Sequence, residues 1–159
     1  MTPIARLALV TTVAAASCLA LPALAEEPET ARACVAIQSE AGASAAECVN
    51  RFQADCLQYE EGSHAGLACF LEAKEKWGGL IKERMEEIRA SAPDEISQIA
   101  GIEVKYDLQQ NLLQCDRIRE LTLVRKDPDE KTRHAHARCE ATAVGLAYVK
   151  LLIQSNASR

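Results

Sequence analysis

The sequence predicts an all-α fold: a small helical bundle with long antiparallel helices, stapled by disulfides. Three observations predict it. The 159 residues are rich in Ala, Glu, Leu, Arg and Gln and carry only 4% aromatics, which is helix-forming composition. Apolar residues recur at three- and four-residue steps, and no alternating β-branched run marks a strand. Six cysteines, Cys34, Cys48, Cys56, Cys69, Cys115 and Cys139, follow what reads as an export leader, and an even number in that setting reads as disulfides.

That leader occupies residues 1–25. Arg6 supplies a short positive start, residues 7–21 (LALVTTVAAASCLAL) an apolar stretch, and Ala23-Leu24-Ala25 a small-residue cleavage site followed by Glu26-Glu27. Cys18 leaves with it. A lipidated Cys18 is the weaker reading, because Ala-Ala-Ser-Cys18 lacks the usual upstream Leu. The remainder, 26–159, is expected to form one domain, periplasmic or secreted, and no later stretch is apolar enough to span a bilayer. The formal charge of −5, one unit more negative without Arg6, argues against nucleic acid and anionic lipid as partners. It leaves a basic protein partner open.

Along the domain, two short helices are expected at 31–40 and 44–59. A long helix over 63–90 opens on Ser63 as N-cap and carries Leu67, Phe70, Trp77, Leu80, Ile81, Met85 and Ile88 as its apolar stripe. Lys74, Lys76, Lys82, Glu83, Arg84, Glu86 and Glu87 fall on the opposite face. Gly78-Gly79 predicts a kink or a close helix crossing. Ala92-Pro93-Asp94 breaks the chain, with Asp94 as the expected cap of the next helix, 95–124. There Ile96, Ile99, Ile102, Tyr106, Leu113 and Leu121 read as a looser core stripe. Asp127-Pro128-Asp129 ends that helix. The last, 131–154, is expected to bury Ala135, Cys139, Thr142, Leu146, Val149 and Ile153.

The cysteine spacing contains an echo. Cys34-x13-Cys48 is followed after seven residues by Cys56-x12-Cys69, with AAEC and GLAC leading into the second Cys of each pair. Two locally closed loops follow from this reading, and Cys115–Cys139 then staples the last two helices. Closing a loop of about 15 residues stabilises by roughly 3 kcal/mol in the chain-entropy model. A small helical domain with few aromatics needs such staples.

At these cysteines the chain resembles the LprI-like lysozyme-inhibitor family, small secreted bacterial helical domains, in its longer form with an extra N-terminal Cys pair. The resemblance rests on Cys34-x13-Cys48-Val-Asn-Arg-Phe-Gln-Ala-Asp-Cys56, on Gly66-Leu-Ala-Cys69-Phe-Leu-Glu72-x4-Trp77, and on Cys115 with Ala137-Arg-Cys139-x2-Thr142-Ala143. Together these span 34–150. Gly78-Gly79 stands where the family carries Leu-Asn, and the Trp-bearing segment before the fifth Cys is absent. The resemblance implies a non-catalytic protein that binds another protein, with a lysozyme as the favoured partner, blocked sterically. The alternative is a cell-envelope structural or assembly module without lysozyme activity.

No catalytic signature is present: no G-x-S-x-G, P-loop, H-E-x-x-H, dinucleotide fingerprint or C-x-x-C. The expectation is therefore no enzyme, cofactor or metal. His134-Ala-His136-Ala-Arg-Cys139 is the most metal-like cluster, but His at i and i+2 do not share a helix face, so two solvated imidazoles are expected. His64 is expected at the surface, and Trp77 and Tyr106 in the core. Glu60, Glu61, Glu83, Glu86, Glu87, Asp94 and Glu95 read first as a solvated helical face, and second as a docking surface for a basic protein. Loops 60–65 and 125–133 are the exposed, charged segments. Tyr59, Glu60 and Glu61 are the partner-binding candidates.

Overall fold

Which helix sits between the others decides which side chains this chain can bury. The computed structural model describes residues 28–157, so the expected leader and Cys18 lie outside it. In chain order it contains α1 (Pro28–Glu40), α2 (Glu47–Phe52), a 3-10 turn (Ala54–Gln58), α3 (His64–Ser91), α4 (Asp94–Leu123) and α5 (Glu130–Ala157). No strand occurs among the described residues. The long helices run up, down and up. Phe70 meets His134 near the start of α3 and α5, Trp77 meets Tyr148 midway, and Arg84 bonds Ser155 near the end, so α3 and α5 are parallel. α4 runs against both: Cys115 joins Cys139, and Asp107 accepts from Lys150 further along.

All three disulfides form as the spacing implied: Cys34–Cys48, Cys56–Cys69 and Cys115–Cys139. The chain is thus an all-α, disulfide-stapled bundle. Ser63 caps α3, accepting from the Gly66 amide at 3.1 Å. Phe70, Trp77, Leu80, Ile81, Met85 and Ile88 are buried on α3, with Leu67 half-buried.

Other expectations are corrected. The segment 44–59 is split into α2 and a 3-10 turn at Gln53, whose side chain is buried and accepts from Thr142 at 3.3 Å. Pro93, not Asp94, is the N-cap residue of α4, with its carbonyl accepting from the Ser97 amide. Gly78 and Gly79 are exposed in an unbroken helix, with open space where a Cβ would stand. The close crossing lies instead at Gly145, where a Cβ would meet Val49 at 2.8 Å and Trp77 at 2.9 Å.

α5 is the central helix, packed against α1, α2, α3 and α4. It buries Ala137, Ala141, Val144, Ala147, Tyr148, Leu151 and Leu152. Small residues there let several helices approach one axis. The stripe expected to be core is its less buried side: Ala135, Leu146 and Ile153 are exposed, Cys139 and Thr142 are half-buried, and only Val149 is buried. α4 lies against α5 and touches α3 little. It buries Val104 and Cys115, with Ala100, Leu108 and Leu112 packed behind them. Ile96, Ile99, Ile102, Tyr106, Leu113 and Leu121 are all exposed, Tyr106 by 59%. Their stripe is the outer face of the helix.

Arg84 is also misplaced by periodicity. It is 4% exposed, donating to Ser155 at 3.0 Å, to Glu87 at 2.8 Å and to Asn156 at 3.2 Å. Glu87 accepts from Arg32 as well, so one carboxylate ties α1 to α3 while Arg84 ties α3 to α5. The Arg32 bond holds the Glu87 carboxyl below its ordinary range. Burial pushes the Tyr148 hydroxyl up.

Candidate functional site

The two loops singled out in the sequence meet at one end of the bundle. Because α3 and α5 are parallel, their N-termini lie together, and the turn before each forms a common head. Gly62 has φ +88°, and a Cβ on it would stand 2.9 Å from Lys131 Cγ and 3.3 Å from the Lys131 amide nitrogen. Glycine is needed there both for the left-handed backbone and for the close approach to α5. Tyr59, Glu60 and Glu61 immediately before it are exposed, Tyr59 by 48%. They form a projecting ridge with Asp55, also exposed, one turn upstream.

Cross-links bracket this head. Cys56–Cys69 closes the ridge onto the first turns of α3, and Cys115–Cys139 fixes α4 to α5 beneath it. Asp129 caps α5, accepting from the Thr132 amide at 2.7 Å and the Thr132 hydroxyl at 2.6 Å. Those bonds, with Lys126 at 3.1 Å, hold the Asp129 carboxyl at about 2. The cap could have been read from Asp129 preceding Glu130 and Thr132.

The histidines are not solvated as expected. His134 is 5% exposed, its ring set edge-on to Phe70 at 5.3 Å and its Nε2 against Gly66. His136 faces the other way. Its Nε2 lies 3.1 Å from Asp116 and its Nδ1 3.8 Å from Glu140, which also pairs with Lys74 at 3.1 Å. Asp116, His136, Glu140 and Lys74 thus lace α4, α5 and α3 together. Residues two apart on a helix point to different neighbours, as the spacing implied. Among the described residues, no group of three or more His, Cys, Asp or Glu side chains is placed to hold a metal ion. His64 is exposed, as expected.

A cleft of about 230 Å³ opens between ridge and staple, lined by Glu61, Arg119, Lys126, Lys131, His136 and the Cys115–Cys139 bridge. Its cations stand among the apolar side chains of Ile118, Ala135 and the bridge, and Arg119 and Lys126 are paired with Asp116 and Asp129. The head is therefore acidic on the Asp55–Glu61 ridge and mixed in charge on the α4–α5 side. Of the other acids grouped with Glu60 and Glu61, Glu83, Glu86, Asp94 and Glu95 are exposed along α3 and the α3–α4 turn, away from the head, and Glu87 is tied up with Arg32 and Arg84.

No protein-family model, curated protein or solved structure matches this chain. No helix among the described residues is long and apolar enough to cross a membrane, and the three disulfides are compatible with an extracytoplasmic location.

Proposed function

We propose that this chain is a secreted or periplasmic protein-binding domain of the LprI-like lysozyme-inhibitor type, whose head blocks a lysozyme-type muramidase by occupying its substrate cleft. The observation that carries this reading is the convergence of the 59–62 ridge and the α5 start on one cross-linked end, with Gly62 seated on Lys131. A binding loop fixed before encounter loses little further entropy on docking, which leaves more of the contact energy as affinity. Tyr59 is the aromatic anchor, with a ring for apolar contact and a hydroxyl for a polar one. Glu60 and Glu61 speed encounter with a basic enzyme, an effect that weakens with salt. The protein contributes shape and charge and no reacting group.

The test is lysis of a peptidoglycan suspension by lysozymes of several types, with the oxidised protein titrated in. Dose-dependent inhibition, weakened about tenfold or more by Tyr59→Ala combined with Glu60→Lys and Glu61→Lys, is the expected result. No inhibition of any lysozyme by protein shown helical by circular dichroism overturns the proposal. The envelope-module reading then takes its place.

A further inference from the structure

α4 leaves more large apolar side chains exposed than any other described helix. Besides the six residues expected in its core, Ile118, Leu123 and Val124 are exposed, Val124 by 84%. Along one line of the outer face of α4 the positions are Ile99, Ile102, Tyr106, Gln110, Leu113, Arg117, Leu121 and Val124, all exposed. Val124 is still helical, with φ −66° and ψ −25°. The steps between them are 3, 4, 4, 3, 4, 4 and 3 residues, which keeps one face of a 3.6-residue helix over its full length. That series reads the same in either direction.

We propose that this face is a self-association surface on which a second copy of the chain docks, with the two α4 helices antiparallel about a two-fold axis between Gln110 and Leu113. The palindromic spacing makes the face its own complement, as a two-fold interface requires. Ile99 meets Val124 of the other copy, Ile102 meets Leu121, and Gln110 meets Leu113. The two polar interruptions are accommodated, because Arg117 falls over the Tyr106 ring, a cation–π arrangement. Charge at the helix ends selects the direction. Asp94 and Glu95 open α4 and Arg125 follows its end, all three exposed, with Asp127 near it and Lys126 already held by Asp129. Antiparallel docking brings Arg125 within reach of Glu95 of the other copy and opposes the helix dipoles. Parallel docking would stack like charges. At about 1.5 Å per residue the 30-residue helix is roughly 45 Å long, so its outer face offers on the order of 600 Å² per copy, the lower range for a specific dimer. The staple of α4 to α5 presents this face as a rigid surface.

The experiment is sedimentation velocity on the oxidised protein produced from the full-length chain, over low to high micromolar concentration. A dimer mass is expected. Ile102→Glu, at an exposed position, should raise the dimer Kd about tenfold or more with unchanged circular dichroism. Glu95→Arg should weaken the dimer, and adding Arg125→Glu should restore it. A photo-crosslinking residue at position 102 should capture the peptide holding Leu121 from another copy. A monomer throughout the range overturns the proposal. So does capture of residue 102 by residue 102, which marks a parallel pair, or capture of residues 1–27 of the same chain.

Discussion

One methyl group separates a close crossing of this bundle from an open length of helix. Gly145 lies where α5 passes between Val49 and Trp77, and a Cβ would sit inside contact distance of both. Gly145→Ala should therefore destabilise, by about 1–3 kcal/mol from overpacking, despite the better helix propensity of Ala. Gly78→Ala should do the opposite. The position is exposed with nothing near, so the gain is the helix propensity, up to about 1 kcal/mol. Urea unfolding of the two variants should give midpoints on opposite sides of the parent, and a shared sign would contradict this packing. Asp129 makes a separate prediction in pH. Its carboxyl sits at about 2 when folded, below the ordinary range, because Thr132 and Lys126 bond its charged form. Such a group stabilises above its unfolded value near 4 and loses that contribution as pH falls towards 2. Melting temperatures of parent and Asp129→Ala should accordingly differ at neutral pH and converge between about pH 4 and pH 2. A gap that stayed constant in acid would count against the cap.

Whole helices show where local sequence stops determining structure. The starts of α3 and α4 were legible because their signals are local: the Ser63 side chain on the Gly66 amide, and the break at Pro93. The buried face of α3 was legible too, since α3 lies at the edge of the bundle and has one dominant apolar stripe. α4 and α5 misled periodicity for opposite reasons. α5 packs against four helices, so its buried arc is wide and includes the small residues Ala137, Ala141 and Ala147, whereas the periodic stripe through Leu146 and Ile153 marks its less buried side. α4 carries two stripes, and the richer one, through Ile102 and Tyr106, faces out while Val104, Leu108, Leu112 and Cys115 face in. Periodicity finds a stripe but not what covers it. In the same way, Tyr59 to Glu61 were readable as an exposed turn, whereas their seat on Lys131 depends on α3 and α5 starting at the same end. The thin inner line of α4 predicts dependence on its cross-link. Replacing both Cys115 and Cys139 by Ala should cost about 3 kcal/mol for a closure of this length. Hydrogen exchange should rise most in α4 from residue 108 onward, with α3 and the centre of α5 still protected. Uniform loosening of all three helices would show that α4 is held by something other than the bridge.

Most of the buried apolar side chains among the described residues fall into two cores of unequal size, and this governs how the molecule should respond to reduction. The larger runs from Val49 and Trp77 through Tyr148 and Leu80 to Ile88 and Leu152, with α1 laid over it by Ala31 and Val35. The smaller, beneath the head, contains Cys56, Phe70, Ala73, Ala137 and Ala141, with Leu67 and Cys69 at its margin. One of its contacts is thus a disulfide, and three of its five buried members are alanines, which bury little area. Phe70 and the half-polar His134 ring supply most of what remains. Reduction should therefore release the head before the body. With a phosphine reductant at neutral pH, exchange is expected to accelerate over 54–70, 108–123 and 129–139, while 77–88 and 144–152 keep their protection. Far-ultraviolet circular dichroism should fall only partly at that stage. The same intermediate tests where binding resides. If the ridge is what a lysozyme meets, inhibition disappears in this partly helical state, because Tyr59 and its neighbours are no longer held against α5. Self-association through α4 should weaken as well, since losing the Cys115–Cys139 bridge frees the helix from residue 108 onward, and with it Leu113, Leu121 and Val124 of the dimer face. Inhibition retained in this state would place the partner surface on the body, and a dimer unchanged by reduction would place the self-contact outside residues 108–124.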